Sequence, residues 1–250
     1  MKKNILTEYL ILQLLIAVQK INYIDACSDK ELLHKFRVSI RKVRSLLKLF
    51  LPKEKELILK LKNIMNPTNI LRELDVFIED IDKKAYNTLY SELVLYRQKK
   101  FRKILHKKFI SNVLETLLDV CDALYEIDNL PSFETLIQTT QKHYDKTLAK
   151  KQKLSHMSPT NEKLHKLRIK FKVAHYALSF LDETDICEKK EELGVCKEFQ
   201  KYFGEIQDLD NQIKWLKEYY KTYPSAQCHI VMMEKEQELD RLKALHVKSD

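Results

Sequence analysis

Apolar residues recur at steps of three and four along almost the whole chain, the period of a helix that buries one face. In "LHKFRVSIRKVRSLLKLF" (33–50) the apolar row is Leu33, Phe36, Ile40, Val43, Leu47 and Phe50. Patterns of this kind predict eight helices, at roughly 4–22, 29–50, 54–83, 86–125, 133–154, 159–182, 186–220 and 225–246. The punctuation agrees, because Pro52, Pro131, Pro159 and Pro224 all fall between periodic segments. Ser28 with Glu31 has capping-box spacing, and Ser158-Pro159 reads as an N-cap followed by proline at the first helical position. Asn66-Pro67 falls inside the third segment and predicts a kink or a break. "EIDNLPS" (126–132) is the natural midpoint linker.

The pattern also repeats. "LHKLRIKFKVAHYALSFL" (164–181) overlies the quoted stretch at an offset of 131, pairing His34 with His165, Arg37 with Arg168 and Leu47 with Leu178. Its apolar row is Leu164, Leu167, Phe171, Ala174, Leu178 and Leu181. A second match, at an offset of 135, pairs "LRELDVFIEDI" (71–81) with "IQDLDNQIKWL" (206–216). Leu71, Leu74, Ile78 and Ile81 form one seam; Ile206, Leu209, Ile213 and Leu216 form the other, with Asp75 and Asp210 at equivalent places beside them. Two motifs in the same order argue for duplication. With four helices per half, the economical architecture is all-α: two pseudo-symmetric four-helix bundles, residues 1–128 and 129–250.

Composition supports this reading. Two glycines and five prolines in 250 residues leave little turn chemistry for a β fold. The formal charge of +9 makes a polyanionic partner worth considering. Five widely spaced cysteines (27, 121, 187, 196 and 228) without a C-x-x-C fit a reducing cytoplasm better than a disulfide framework or zinc site. The opening "MKKNILTEYLILQLLIAVQKINYIDAC" imitates a signal peptide, but Glu8 and Gln13 interrupt the apolar run, and Lys20 and Asp25 precede the cysteine. An amphipathic first helix is expected instead, with no membrane-spanning segment and no membrane partner.

The arrangement of charge says more than its sum. One residue after the first apolar row come His34, Arg37, Arg41, Arg44 and Lys48. The second repeat answers with His165, Arg168, Lys172 and His175. At 100° per residue, the first row lies about 100° from the apolar row, with Val38 and Leu49 on its other side. One such row reads as a boundary face whose side chains reach water or pair with Asp75 and Glu79. A duplicated row reads differently, because clustered cations near apolar walls repel one another and lose solvation, and a bound polyanion relieves both penalties. The rows are therefore expected to line a groove. His143, Lys146, Lys150 and Lys153 form a further basic stripe, whereas Arg97, Lys100, Lys103 and Lys107 spread over a broader arc that reads as solvated surface.

The histidines invite a metal or phosphoryl-transfer reading. Each opens a run of cations, a poor field for a metal ion, and no second ligand stands three or four residues on. No Asp-His-Ser set, glycine-rich phosphate loop or acidic metal cluster accompanies them. Neither a metal nor another cofactor is expected, and the aspartates read as partners that fix nearby basic side chains. Nucleic acid is the rival polyanion. The scarcity of aromatics in the basic runs and the lack of a recognition-helix motif weigh against it.

At these residues the sequence resembles the CHAD family, the conserved histidine α-helical domain. The resemblance rests on His34-x-x-Arg37 with Arg41, Lys42 and Arg44, then "RELDV", then His165-x-x-Arg168 with Lys172 and Tyr176, then "QDLD", and it spans essentially the whole chain. It implies one domain of two pseudo-symmetric four-helix bundles around a basic central cavity that binds inorganic polyphosphate, in a family whose members associate with polyphosphate granules. By position, the implied cavity residues are His34, Arg37, Arg41, Lys42, Arg44, His165, Arg168 and Lys172. Val173 and His175 stand where the second motif usually carries basic residues, which implies an asymmetric site dominated by the first repeat. Some relatives are fused to a triphosphatase domain with an E-x-E-x-K motif. Nothing of that kind exists here, so binding without hydrolysis is the expectation.

Overall fold

The computed structural model describes residues 4–24, 30–155 and 159–246, and every regular element among them is helical. The first half holds α1 (Ile5–Asn22), α2 (Lys30–Phe50), α3 (Lys55–Met65), α4 (Asn69–Asp80), α5 (Asn87–Ile104) and α6 (Lys107–Tyr125). The second half holds α7 (Phe133–Ser155), α8 (Asn161–Glu183), α9 (Lys190–Thr222) and α10 (Ala226–His246). Asn66-Pro67 interrupts its segment as expected, by a single 3₁₀ turn over Asn66–Thr68. The expected helix over 86–125 is two helices, because the chain leaves α5 at Leu105 and His106 caps α6 by accepting from the Phe109 amide. Of the two expected caps, Ser28 and Ser158 lie outside the described residues. The α8 cap is Thr160, whose hydroxyl accepts from the Lys163 amide, so Pro159 precedes the helix instead of opening it.

All four apolar rows read from the sequence are buried, from Leu33 through Phe50, Leu164 through Leu181, and along both shorter seams. They pack into three clusters. The first joins α1, α2, α3 and α6, with Leu136 of α7 and Ala177, Phe180 and Leu181 of α8. The second joins α7, α8 and α9 with Leu239 of α10. The third joins α4 and α5 to Leu216 of α9 and to Cys228 and Val231 of α10. Apolar packing thus crosses the 126–132 linker twice. The first helix is long and apolar enough to cross a membrane by length and composition, yet half of it is buried against the first cluster.

Four helices are thereby brought together. α2 packs on α8, α2 on α4, α4 on α9 and α8 on α9. They are the four helices that carry the repeated motifs.

Candidate anion-binding cavity

A cavity of about 310 Å³ opens among α2, α4, α8 and α9. From α2 it takes His34, Arg37, Val38 and Arg41; from α8, Arg168, Lys172 and Tyr176. From α4 it takes Asn69, Arg72, Glu73 and Val76, and from α9, Gln200, Asp208 and Asn211. Five formal cations therefore face two carboxylates, with a histidine beside them. Four pairs of lining residues are equivalent under the repeat: Arg37 with Arg168, Arg41 with Lys172, Glu73 with Asp208, and Val76 with Asn211.

The local chain explains how Arg37 is held there at only 6% exposure. Its Nη1 donates to the Met65 carbonyl at 3.3 Å and to the Thr68 hydroxyl, and its Nη2 donates to Asn69 Oδ1 at 2.8 Å. The 3₁₀ turn made by Asn66-Pro67 presents these acceptors, and all of them are neutral. The guanidinium is anchored without being neutralised. Arg41 is similar, since its Nε donates to the Arg37 carbonyl at 3.3 Å. Arg168 has a looser partner, with Nη2 3.7 Å from Asp208 Oδ1.

Burial among like charges shows in the titration of the site. Desolvation, then Arg168 and Arg41, push the Lys172 pKa down to about 7. Burial and Arg41 lower that of Arg37, which remains a cation at neutral pH. Burial, then Arg72 and Arg41, lower that of His34. Burial raises the pKa of Asp208 against the opposing pull of Arg168 and Lys172.

Four cavity residues carry a buried nitrogen that makes no hydrogen bond within the protein: His34 Nδ1, Arg37 Nε, Arg168 Nε and Gln200 Nε2. Unmet polar nitrogens are costly in a protein interior. The cations that the two carboxylates leave uncompensated are complementary to an anion with many acceptor oxygens.

Several residues expected in the site stand elsewhere. Lys42 points to the other flank of α2, where its Nζ is 3.0 Å from Glu183 Oε1 and 3.3 Å from the Tyr9 hydroxyl. Arg44 and the exposed Lys48 continue the row along α2 beyond the cavity lining. His165 is exposed, unlike its counterpart His34. His175 sits near Ser179, Lys42 and Lys197, outside the lining. On α7, His143 Nε2 lies 3.2 Å from the Lys170 carbonyl, Lys146 is exposed, and neither they nor Lys150 reach the cavity lining. Asp75 fixes a different cation from the one expected. Fully buried, it accepts from Arg97 Nε at 2.9 Å, so Arg97 is an interior residue that ties α5 to α4 instead of a surface one. Asp210 accepts from Asn161 and pairs with Lys214.

Sequence reasoning had not singled out Asn69, Arg72, Glu73, Gln200, Asp208 and Asn211. A signal existed for two of them, because the offset of 135 aligns Glu73 with Asp208 just as it aligns Asp75 with Asp210.

Comparison with known proteins gives an independent view. The family model "CHAD domain" matches residues 13–217. The crystal structure of the CHAD domain from the plant Ricinus communis superposes with a TM-score of 0.73 at 19% identity, covering 98% of this chain and 92% of that one. No curated protein matches the sequence.

Proposed function

This chain belongs to the CHAD domain family, and from that premise we propose that it binds inorganic polyphosphate in the cavity among α2, α4, α8 and α9. The family is linked to polyphosphate binding in general. The observation that carries the reading for this chain is the excess of five cations over two carboxylates on the walls of one cavity. Polyphosphate supplies about one negative charge and several acceptor oxygens per phosphate, and its association should draw on counterion release as nucleic-acid binding does. The first half, with six helices, and the second, with four, each give one cationic helix to the site, and the pairs Arg37/Arg168 and Arg41/Lys172 support an origin of those two helices by duplication. The role is binding without catalysis, in the cytoplasm and at polyphosphate granules.

The test is competition. A thin flexible chain can enter a cavity of this size, whereas duplex DNA keeps its phosphates on a wide cylinder. Long-chain polyphosphate should outcompete duplex DNA and RNA by at least about tenfold at physiological salt, a preference of about 1.4 kcal/mol. Equal competition by DNA at matched charge would replace the cavity reading with general cation stickiness. Release of orthophosphate, or acid-labile phosphate on His34 or His165, would overturn the non-catalytic role.

A further inference from the structure

We propose that Lys172 is an acylation site, modified by small acyl phosphates that the cationic cavity gathers. The proposal rests on the anion-binding reading of that cavity and supplies a way to regulate it. Lys172 is the single lysine among the residues that line the cavity. The other four cations there are arginines, which do not deprotonate in proteins and so offer no nucleophile. Among the described residues Lys172 makes neither an ion pair nor a hydrogen bond, although Glu73 and Asp208 line the same walls; Asp208 is paired with Arg168 instead. Its Nζ is also absent from the cavity nitrogens that are sealed from solvent, so a small reactant can reach it.

The surroundings of this amine do two things. His34, Arg37 and Arg41 face it from α2, Arg72 and Glu73 from α4, Asp208 from α9, and Arg168 and Tyr176 from its own helix. Burial, then Arg168 and Arg41, push its pKa down to about 7, so about half of it is free amine at neutral pH. An ordinary lysine is free amine there in fewer than about one part in a thousand. The same cations favour a phosphate group beside the amine. On the far side of Asp208 lies a pocket whose charged residues are all carboxylates, Glu79, Asp80, Glu205 and Glu238 among them, so an anionic reactant collects on the cationic side. The Nζ lone pair adds to the acyl carbon, the N–C bond forms, and the C–O bond to the phosphate breaks. Inorganic phosphate leaves with that electron pair and takes the proton that nitrogen loses, so the step needs no oxidant or further reactant. Arg41 and Arg168 balance the charge of the leaving group. The product is an uncharged amide, and acylation removes one of the five cations that the cavity offers to polyphosphate.

Acetyl phosphate is the probe. The full chain is incubated with it, and the rate at each lysine is read by peptide mass spectrometry. At neutral pH Lys172 should react at least about tenfold faster than the exposed Lys53 and Lys146. With reagent below saturation its rate should level off above about pH 7, whereas theirs should keep rising toward about pH 10. Arg41→Gln should slow the reaction of Lys172 with acetyl phosphate more than its reaction with the neutral N-hydroxysuccinimide ester of acetic acid, because only the anionic reagent is gathered by the cation. Acetylated chain should bind polyphosphate at least about threefold more weakly, and the same treatment of Lys172→Met should leave affinity unchanged. Polyphosphate should protect Lys172. If polyphosphate binds but Lys172 reacts no faster than Lys53, or if Arg41→Gln slows both reagents equally, the proposal is overturned and the polyphosphate reading stands. Selective acetylation of Lys172 that polyphosphate fails to suppress would uphold the proposal and overturn the polyphosphate reading.

Discussion

Arg37 and Arg168 occupy equivalent places in the repeat and face the same cavity, yet they are anchored differently. Arg37 is clamped by Met65, Thr68 and Asn69. The equivalent positions around Arg168 are Gln200, Phe203 and Gly204. Phe203 is buried in the apolar core, and Gly204 offers no side chain. A β-carbon there would lie 3.8 Å from Arg168 Nη2, so the guanidinium simply rests over the glycine backbone. The duplication kept the charge at both places and the clamp at one. This locates the asymmetry of the site. Val173 and His175, the departures visible in the sequence, correspond to Lys42 and Arg44, which lie outside the cavity lining themselves. The difference that matters is in the acceptors behind the cations and in His34, whose counterpart His165 faces solvent.

The largest expected effect asks whether both halves share one site. Replacing Arg41 and Arg168 by Gln removes one cation from each half, neither of them tightly anchored. Polyphosphate affinity should fall about 100-fold, or about 2.7 kcal/mol, and the slope of log K against log salt should flatten by about two. Arg44→Gln with Lys48→Gln removes the same charge from the row beyond the cavity and should cost about threefold or less. Equal losses in the two variants would mean that net charge suffices and the cavity is incidental.

The next effect breaks the comparison on stability. Arg37→Met leaves the Thr68 and Asn69 acceptors without their buried donor and should destabilise the fold by about 2 kcal/mol in urea denaturation. Arg168→Met leaves only a distant carboxylate and should change stability by about 0.5 kcal/mol or less. Similar costs at the two positions would show that the clamp around Arg37 contributes nothing distinctive.

The smallest effect sharpens it through pH. Lys172 faces Arg37, Arg41 and His34 from α2, Arg72 and Glu73 from α4, Arg168 on its own helix, and Asp208 from α9. Its folded pKa of about 7 lies below the 10.5 of an ordinary lysine, so between these values the unfolded chain binds more protons. Stability should therefore rise with pH across that window, and the rise should be missing in Lys172→Met. A bound polyanion favours the protonated amine, so affinity should weaken as pH rises through about 7, by at most about tenfold per unit. The advantage of wild type over Lys172→Met should then shrink steadily as pH rises above about 7. Parallel curves across the whole range would remove Lys172 from the site.

Much of this was legible in the sequence, for reasons that can be named. Rows such as Leu33 through Phe50 and Ile206 through Leu216 were readable because burial imposes the helical period on residue type. Arg37, Arg41, Arg168 and Lys172 were readable because charge beside an apolar row, repeated at an equal offset, is hard to explain as plain surface. Arg72 was not, since its α4 face has no cation row, and one arginine among charged neighbours carries no periodic signal. Lys42 entered only through the family motif and sits off the helical row, consistent with its turn toward Glu183. Asp75 was misplaced because Arg97 lies 22 residues away on another helix, and its burial depends on tertiary packing that a charge pattern does not encode. The break at Leu105 was hidden by an apolar period that continues in step through both helices.

Asp208 stands in the wall common to a cation-lined and a carboxylate-lined pocket. The charged residues that line the two pockets therefore change sign across the packing of α4 on α9. If a polymer of phosphates enters the first pocket as proposed, the carboxylates beyond that wall would oppose its passage. On the proposed reading, a bound phosphate chain would therefore turn back at Asp208 toward the cationic walls instead of continuing past α9.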